Sequence, residues 1–216
     1  MDGDQSRSGP IQALGPTVAA LAGTVTGGFA AWAYYDDVLK PLAHVFGPWI
    51  ALVAALSAHR SIRAAVTRSA LALISAVIAF YLGKKVIYGM DYPGMPYSLD
   101  IGMIGIWLVL AVLAGAVLGA TFSFIGSNGH RGAAATAGAM ALLIADAYRR
   151  STAYPDEAAV VLAMAVIGGV AILVMGPRGP QNLARTLFWV VPLAPLALLI
   201  VSAPDALEQL VITGGL

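Results

Sequence analysis

The chain has 216 residues, of which 59% are hydrophobic and 11% charged, and its mean hydropathy is +0.83. Soluble domains are about 45–50% apolar and about 25% charged, so composition excludes an ordinary soluble domain. A net charge of +1 leaves no basic stripe for a nucleic acid, and the absence of cysteine excludes disulfides, thiol catalysis, iron–sulfur clusters and thiolate zinc sites.

Residues 1–12, beginning MDGDQSRSGP, are polar, lack the basic region of a signal peptide and read as a disordered tail. Seven apolar segments follow, near 13–33, 45–58, 66–83, 101–125, 133–148, 158–176 and 186–203. The expected fold is therefore all-α, a polytopic transmembrane helix bundle of about seven spans. Residues 13–203 form one transmembrane domain and 204–216 a C-terminal tail. The second segment is too short for a normal crossing and reads as a thin or tilted span or a re-entrant piece.

Seven spans put Arg7, Arg60, Arg63, Arg68, Arg131, Arg178 and Arg185 on one side, and Lys40, Lys84, Lys85, Arg149 and Arg150 on the other with most of the acids. The positive-inside rule then places the N-terminus in the cytoplasm and the C-terminus outside, in a cell membrane.

The first span carries Gly23 and Gly27, and the fourth Gly115 and Gly119. Small residues four apart let helices pack closely, within a bundle or between copies in a helix-mediated oligomer. Trp32, Tyr34, Tyr35, Tyr88, Tyr92 and Tyr97 read as an interfacial aromatic belt.

Asp146 is the sole acid inside any of the seven segments. A carboxylate there costs about 2.5–3.5 kcal/mol at the bilayer centre and needs a reason. One reason is a helical ion pair with Arg150, four residues on, near the interface. Another is chemistry, because a carboxyl group in an apolar cavity stays protonated more readily and can act as a general acid. Asp36 and Asp37, at the end of the first span, and Asp91 are expected at the same outer face. Tyr34, Tyr35, Tyr81, Trp107 and Tyr148 are close in depth, and their ring faces suit a cation.

The Asp-Asp pair opens DDVLK, with Lys40 where a magnesium-binding DDxxD run needs a third acid, which disfavours a diphosphate-ionising prenyltransferase. The three histidines fall on opposite sides, which disfavours a shared three-histidine metal site, with His44 near Asp36 and Asp37 left as an alternative cation site beside the default of a solvated loop histidine; no cofactor is expected. No GxSxG, HExxH or P-loop is present.

The segments FGPW (Phe46 to Trp49), FYLG (Phe80 to Gly83) and GAVLGA (Gly115 to Ala120), with the small-residue helix ending in Asp146, resemble a family of small actinobacterial multi-spanning membrane proteins of unknown function. The resemblance covers roughly residues 40–150, and that family tends to carry glutamate at Asp146 and asparagine at His44. Size and span count are also similar to those of integral membrane terpene cyclases. That likeness implies a metal-independent, proton-initiated cyclase acting on a prenylated small molecule in the bilayer. Asp146, Asp36 and Asp37 would supply protons, and Tyr34, Tyr35, Tyr81, Trp107 and Tyr148 would line the cavity. A small-solute transporter with Asp146 as its proton-coupling group, and a structural membrane partner protein, stay open beside it.

Overall fold

In the computed structural model, residues 10–212 are described, and they are almost entirely helical. Most of the expected N-terminal tail lies outside them. Each of the seven apolar segments contains one helix: α1 (Pro10–Ala33), α3 (Gly47–Ser57), α4 (Ile62–Asp91), α5 (Ile101–Phe122), α6 (His130–Ala153), α7 (Ala158–Met175) and α8 (Pro180–Ile212). A four-residue helix, α2 (Lys40–Ala43), lies in the connection between α1 and α3.

Local chemistry sets several boundaries. The Asp100 carboxylate accepts from the Met103 N–H at 2.9 Å and starts α5. Gly126 and Gly129, at φ +88° and +85°, take the left-handed conformations that let the chain turn from α5 into α6. Pro155 keeps Tyr154 out of the helical region, at φ −135° and ψ 79°, and so ends α6.

Among the described residues, four helices are long and apolar enough to cross a membrane: α4, α5, α8, and α7 with the turn before it. Their outward faces expose Val109, Leu113 and Val117, then Val166 and Val174, then Phe188 and Leu199. Apolar surface this extensive would drive association in water, whereas lipid covers it without cost. This is a helical membrane protein.

Helix α6 is the inner one. Twelve of its 24 residues are buried, mostly alanine and glycine, and its charged residues keep it outside the apolar set. Small side chains let α7 and α8 close around it, and an intramembrane acid belongs on such an interior helix.

Helices α1 and α4 run parallel. A Cβ on Gly23 would overlap the Ala72 carbonyl, and one on Gly27 the Ala76 carbonyl. Gly115 and Gly119 admit the backbone of α4 at Ala70 and Val66 in the same way, with α5 antiparallel. These glycine faces are covered within the chain, so a helix-mediated oligomer would need other surfaces. The molecule is thus two trios, α1/α4/α5 and α6/α7/α8, with α3 in the seam touching both.

The two ends differ in charge. One carries Arg60, Arg131 and Arg178, and there His59 N–H donates to the Ile125 carbonyl at 3.3 Å. The other holds all three ion pairs found among the described residues. At this second end α8 runs through Pro204 to Ile212, so most of the expected C-terminal tail is helix.

Candidate functional site

At eleven residues α3 is about 16 Å long, roughly half the hydrocarbon thickness. Phe46 precedes it and offers no capping side chain, and Pro48 has no N–H to give. The remaining N–H groups need an acceptor inside the protein.

Asp146 is that acceptor. Its Oδ2 accepts from Phe46 N–H at 2.7 Å and from Gly47 N–H at 2.9 Å, while its side chain is about 2% exposed. The negative charge also meets the positive end of the α3 dipole. Its Oδ1 lies 3.4 Å from Arg149 Nη2, and Arg149 bonds in turn to Asp205 on α8. The expected partner, Arg150, instead meets Glu157 at 2.6 Å. Arg149 wins because it lies between α6 and α8, whereas Arg150 points to the turn before α7.

On the opposite face of α3 lies a cavity of about 420 Å³. Phe46, Trp49, Ile50 and Val53 repeat at helical spacing and form one wall. Val77, Phe80 and Tyr81 of α4, Trp107 and Ala111 of α5 and Val201 of α8 complete the apolar part. The end nearest the polar face is lined by Tyr34, His44, Lys84, Asp205 and Glu208. The result is amphipathic, with greasy walls and a charged mouth.

Three expected site residues, Tyr34, Tyr81 and Trp107, line this cavity. Asp146 does not: the α3 N-terminus stands between, and its carboxylate borders only a void of about 10 Å³ beside Val161 and Met164. Asp36 lies past the end of α1, where Oδ1 accepts from Val38 N–H at 2.9 Å and Leu39 N–H at 2.8 Å to shape the turn into α2. Asp37 is exposed. Tyr148 is 60% exposed, because two residues turn a helix by about 200° and Asp146 already faces inward.

The Tyr35 hydroxyl donates to the Lys84 carbonyl at 3.2 Å and ties the connection to α4. Burial, then the Tyr97 and Tyr34 hydroxyls, push its pKa up to about 12, so it remains a donor at neutral pH.

Sequence reasoning missed Asp205 and Glu208. The signal was available, since Val201, Pro204, Asp205 and Glu208 share one helical face continuing the buried stripe of α8.

A family model, described as a family of unknown function (DUF6518), matches residues 7–207. The chain belongs to this family. The match takes in the Asp146 cap and nearly all of the cavity wall, well beyond the stretch from 40 to 150 that carried the resemblance in the sequence. No curated protein and no solved structure matches the chain.

His44 lies in the connection ahead of α3, its ring 5.4 Å from that of Tyr34. Burial, and after it the charge of Arg150, hold its pKa below the ordinary histidine value of 6.5. The unfolded chain then binds the proton more readily, so His44 withdraws stability as pH falls below about 6.5. We expect thermal stability to drop between pH 8 and pH 5, and His44→Gln to flatten that drop. An identical slope in the variant would assign the acid sensitivity elsewhere.

Proposed function

We propose that this DUF6518 protein is a membrane protein that binds an amphiphilic, lipid-like molecule, its chain among Phe46, Trp49, Val77 and Trp107 and its head at the mouth by Lys84 and Glu208. The cavity itself carries the reading, with about 420 Å³, apolar walls and charges gathered at one end. Sites for small molecules fall in the range of roughly 300–1,000 Å³ and have few polar groups. The N-terminus faces the cytoplasm in this reading, because the arginine-bearing end is the one the positive-inside rule retains there. The mouth then opens on the outer side.

The test is to fill the cavity. Ala111 is buried in the α5 wall, and Ala111→Trp would occupy the space of the chain while keeping the surface unchanged. By native mass spectrometry of the protein in mild detergent, one single-chain amphiphile is expected to stay bound to the wild type. The variant should retain it about tenfold less, a loss of about 1.4 kcal/mol. Equal retention by a folded Ala111→Trp protein would remove this function.

Proton-initiated cyclisation of a prenylated molecule is a second reading, favoured by the aromatic faces of Phe46 and Trp107, whose centroids are 6.2 Å apart. Its acid would be Glu208, which lines the cavity, in place of Asp146. An isomer of unchanged mass that forms with wild type and is lost in Glu208→Gln would select it.

A further inference from the structure

Three charged side chains, Lys84, Asp205 and Glu208, line the mouth of the cavity, and they divide unequally. Asp205 is already joined to Arg149. Lys84 on α4 and Glu208 on α8 both line the cavity, yet among the described residues neither forms an ion pair with any partner within 4.0 Å. The Lys84 ammonium is instead fixed over the Tyr34 ring, 3.7 Å from its centroid, and lies 5.4 Å from that of Phe80. A ring face orients a cation while leaving its ion-pairing demand unmet. His44 adds a polar group at the mouth.

We infer that the occupant of this cavity has a zwitterionic head group, with its anionic part at Lys84 and its cationic part at Glu208. The inference rests on the cavity being a site for an amphiphile, and it specifies which. An anionic head would satisfy Lys84 but face the Glu208 carboxylate, and a cationic head would meet the reverse. A neutral head leaves both charges partly desolvated and unmatched, which is the costly arrangement at a binding site. A head bearing both signs satisfies both walls at once. Its orientation is fixed too, because the ammonium and the carboxylate stand on different helices. Discrimination of this kind comes as much from repelling the wrong head as from attracting the right one.

Three single-chain amphiphiles with the same acyl chain and different heads make the test: a lysophosphatidylethanolamine, a lysophosphatidylglycerol and a monoacylglycerol. Each would be offered to the full-length protein in mild detergent, and the retained molecule read by native mass spectrometry. The zwitterion should be retained about tenfold over either competitor, the size of effect that one well-placed charge pair gives. Glu208→Gln should raise the anionic lipid to the level of the zwitterion. Lys84→Gln leaves the zwitterion only its Glu208 contact and should narrow, without erasing, its lead over the neutral lipid. The double exchange Lys84→Glu with Glu208→Lys keeps both charges at the mouth and should restore the preference, which shows that a single-variant loss is not a folding defect. If the wild type retains all three heads equally and Ala111→Trp abolishes all three, the head-group inference is overturned while the cavity reading stands. If the wild type retains none of them, the cavity reading itself fails.

Discussion

Asp146→Ala is expected to cost the protein about 3–5 kcal/mol, the penalty for removing one partner from a buried, hydrogen-bonded charge pair. The variant leaves the Phe46 and Gly47 N–H groups without an acceptor and Arg149 with only Asp205. A midpoint fall of roughly 10 °C should follow, at about 2–4 °C per kcal/mol for a chain of this size. Asp146→Asn keeps the shape and one acceptor oxygen but loses the charge, and should fall by roughly half as much, since hydrogen bonds to charged groups exceed neutral ones by about that factor. Thermal unfolding in mild detergent followed by gel filtration measures both. Should Asp146→Asn melt with the wild type and yet abolish a cavity-dependent activity, the acid would be chemical rather than architectural.

Gly27→Leu should separate α1 from α4. The new side chain would run into the Ala76 carbonyl, a backbone group that cannot rotate away. Overpacking a well-filled interior costs about 1–3 kcal/mol, and a backbone obstacle puts this site at or above the upper limit. The adjacent glycine is the control. A Cβ on Gly28 meets nothing within 4 Å, so Gly28→Leu should stay within about 0.5 kcal/mol of the wild type, helped by leucine's better helix propensity. Similar yields of monodisperse protein from the two variants would show that α1 does not depend on this close approach.

The architecture was largely legible because hydrophobic segment length is a local property. Each of the seven apolar stretches holds a helix, and the shortness of the second was visible in its sequence. Asp146 was also legible as an acid needing a reason. The reason was not, because the groups it bonds are 99 and 100 residues away in the chain. No pattern around position 146 could specify them. Local spacing favoured Arg150 as its partner, but the packing of α6 against α8 chose Arg149. The cavity was legible only in fragments. Tyr34, Tyr81 and Trp107 were found through their depth, while the last span was expected to end at 203, which left Pro204, Asp205 and Glu208 in the tail. A proline in a membrane helix is tolerated when neighbouring groups take over its missing hydrogen bond.

The dependence of α3 on Asp146 also bears on how the protein is made. An eleven-residue apolar helix is too short to be held across a bilayer by its own hydrophobicity, and its first N–H groups stay unsatisfied until α6 has been synthesised. Insertion therefore cannot finish in the order of translation. The first half of the chain must wait in the membrane with α3 unseated, and the seam between the two trios closes only when α6 arrives with its carboxylate. A nascent chain stalled before residue 146 would stay open at that seam, where membrane quality control would meet it.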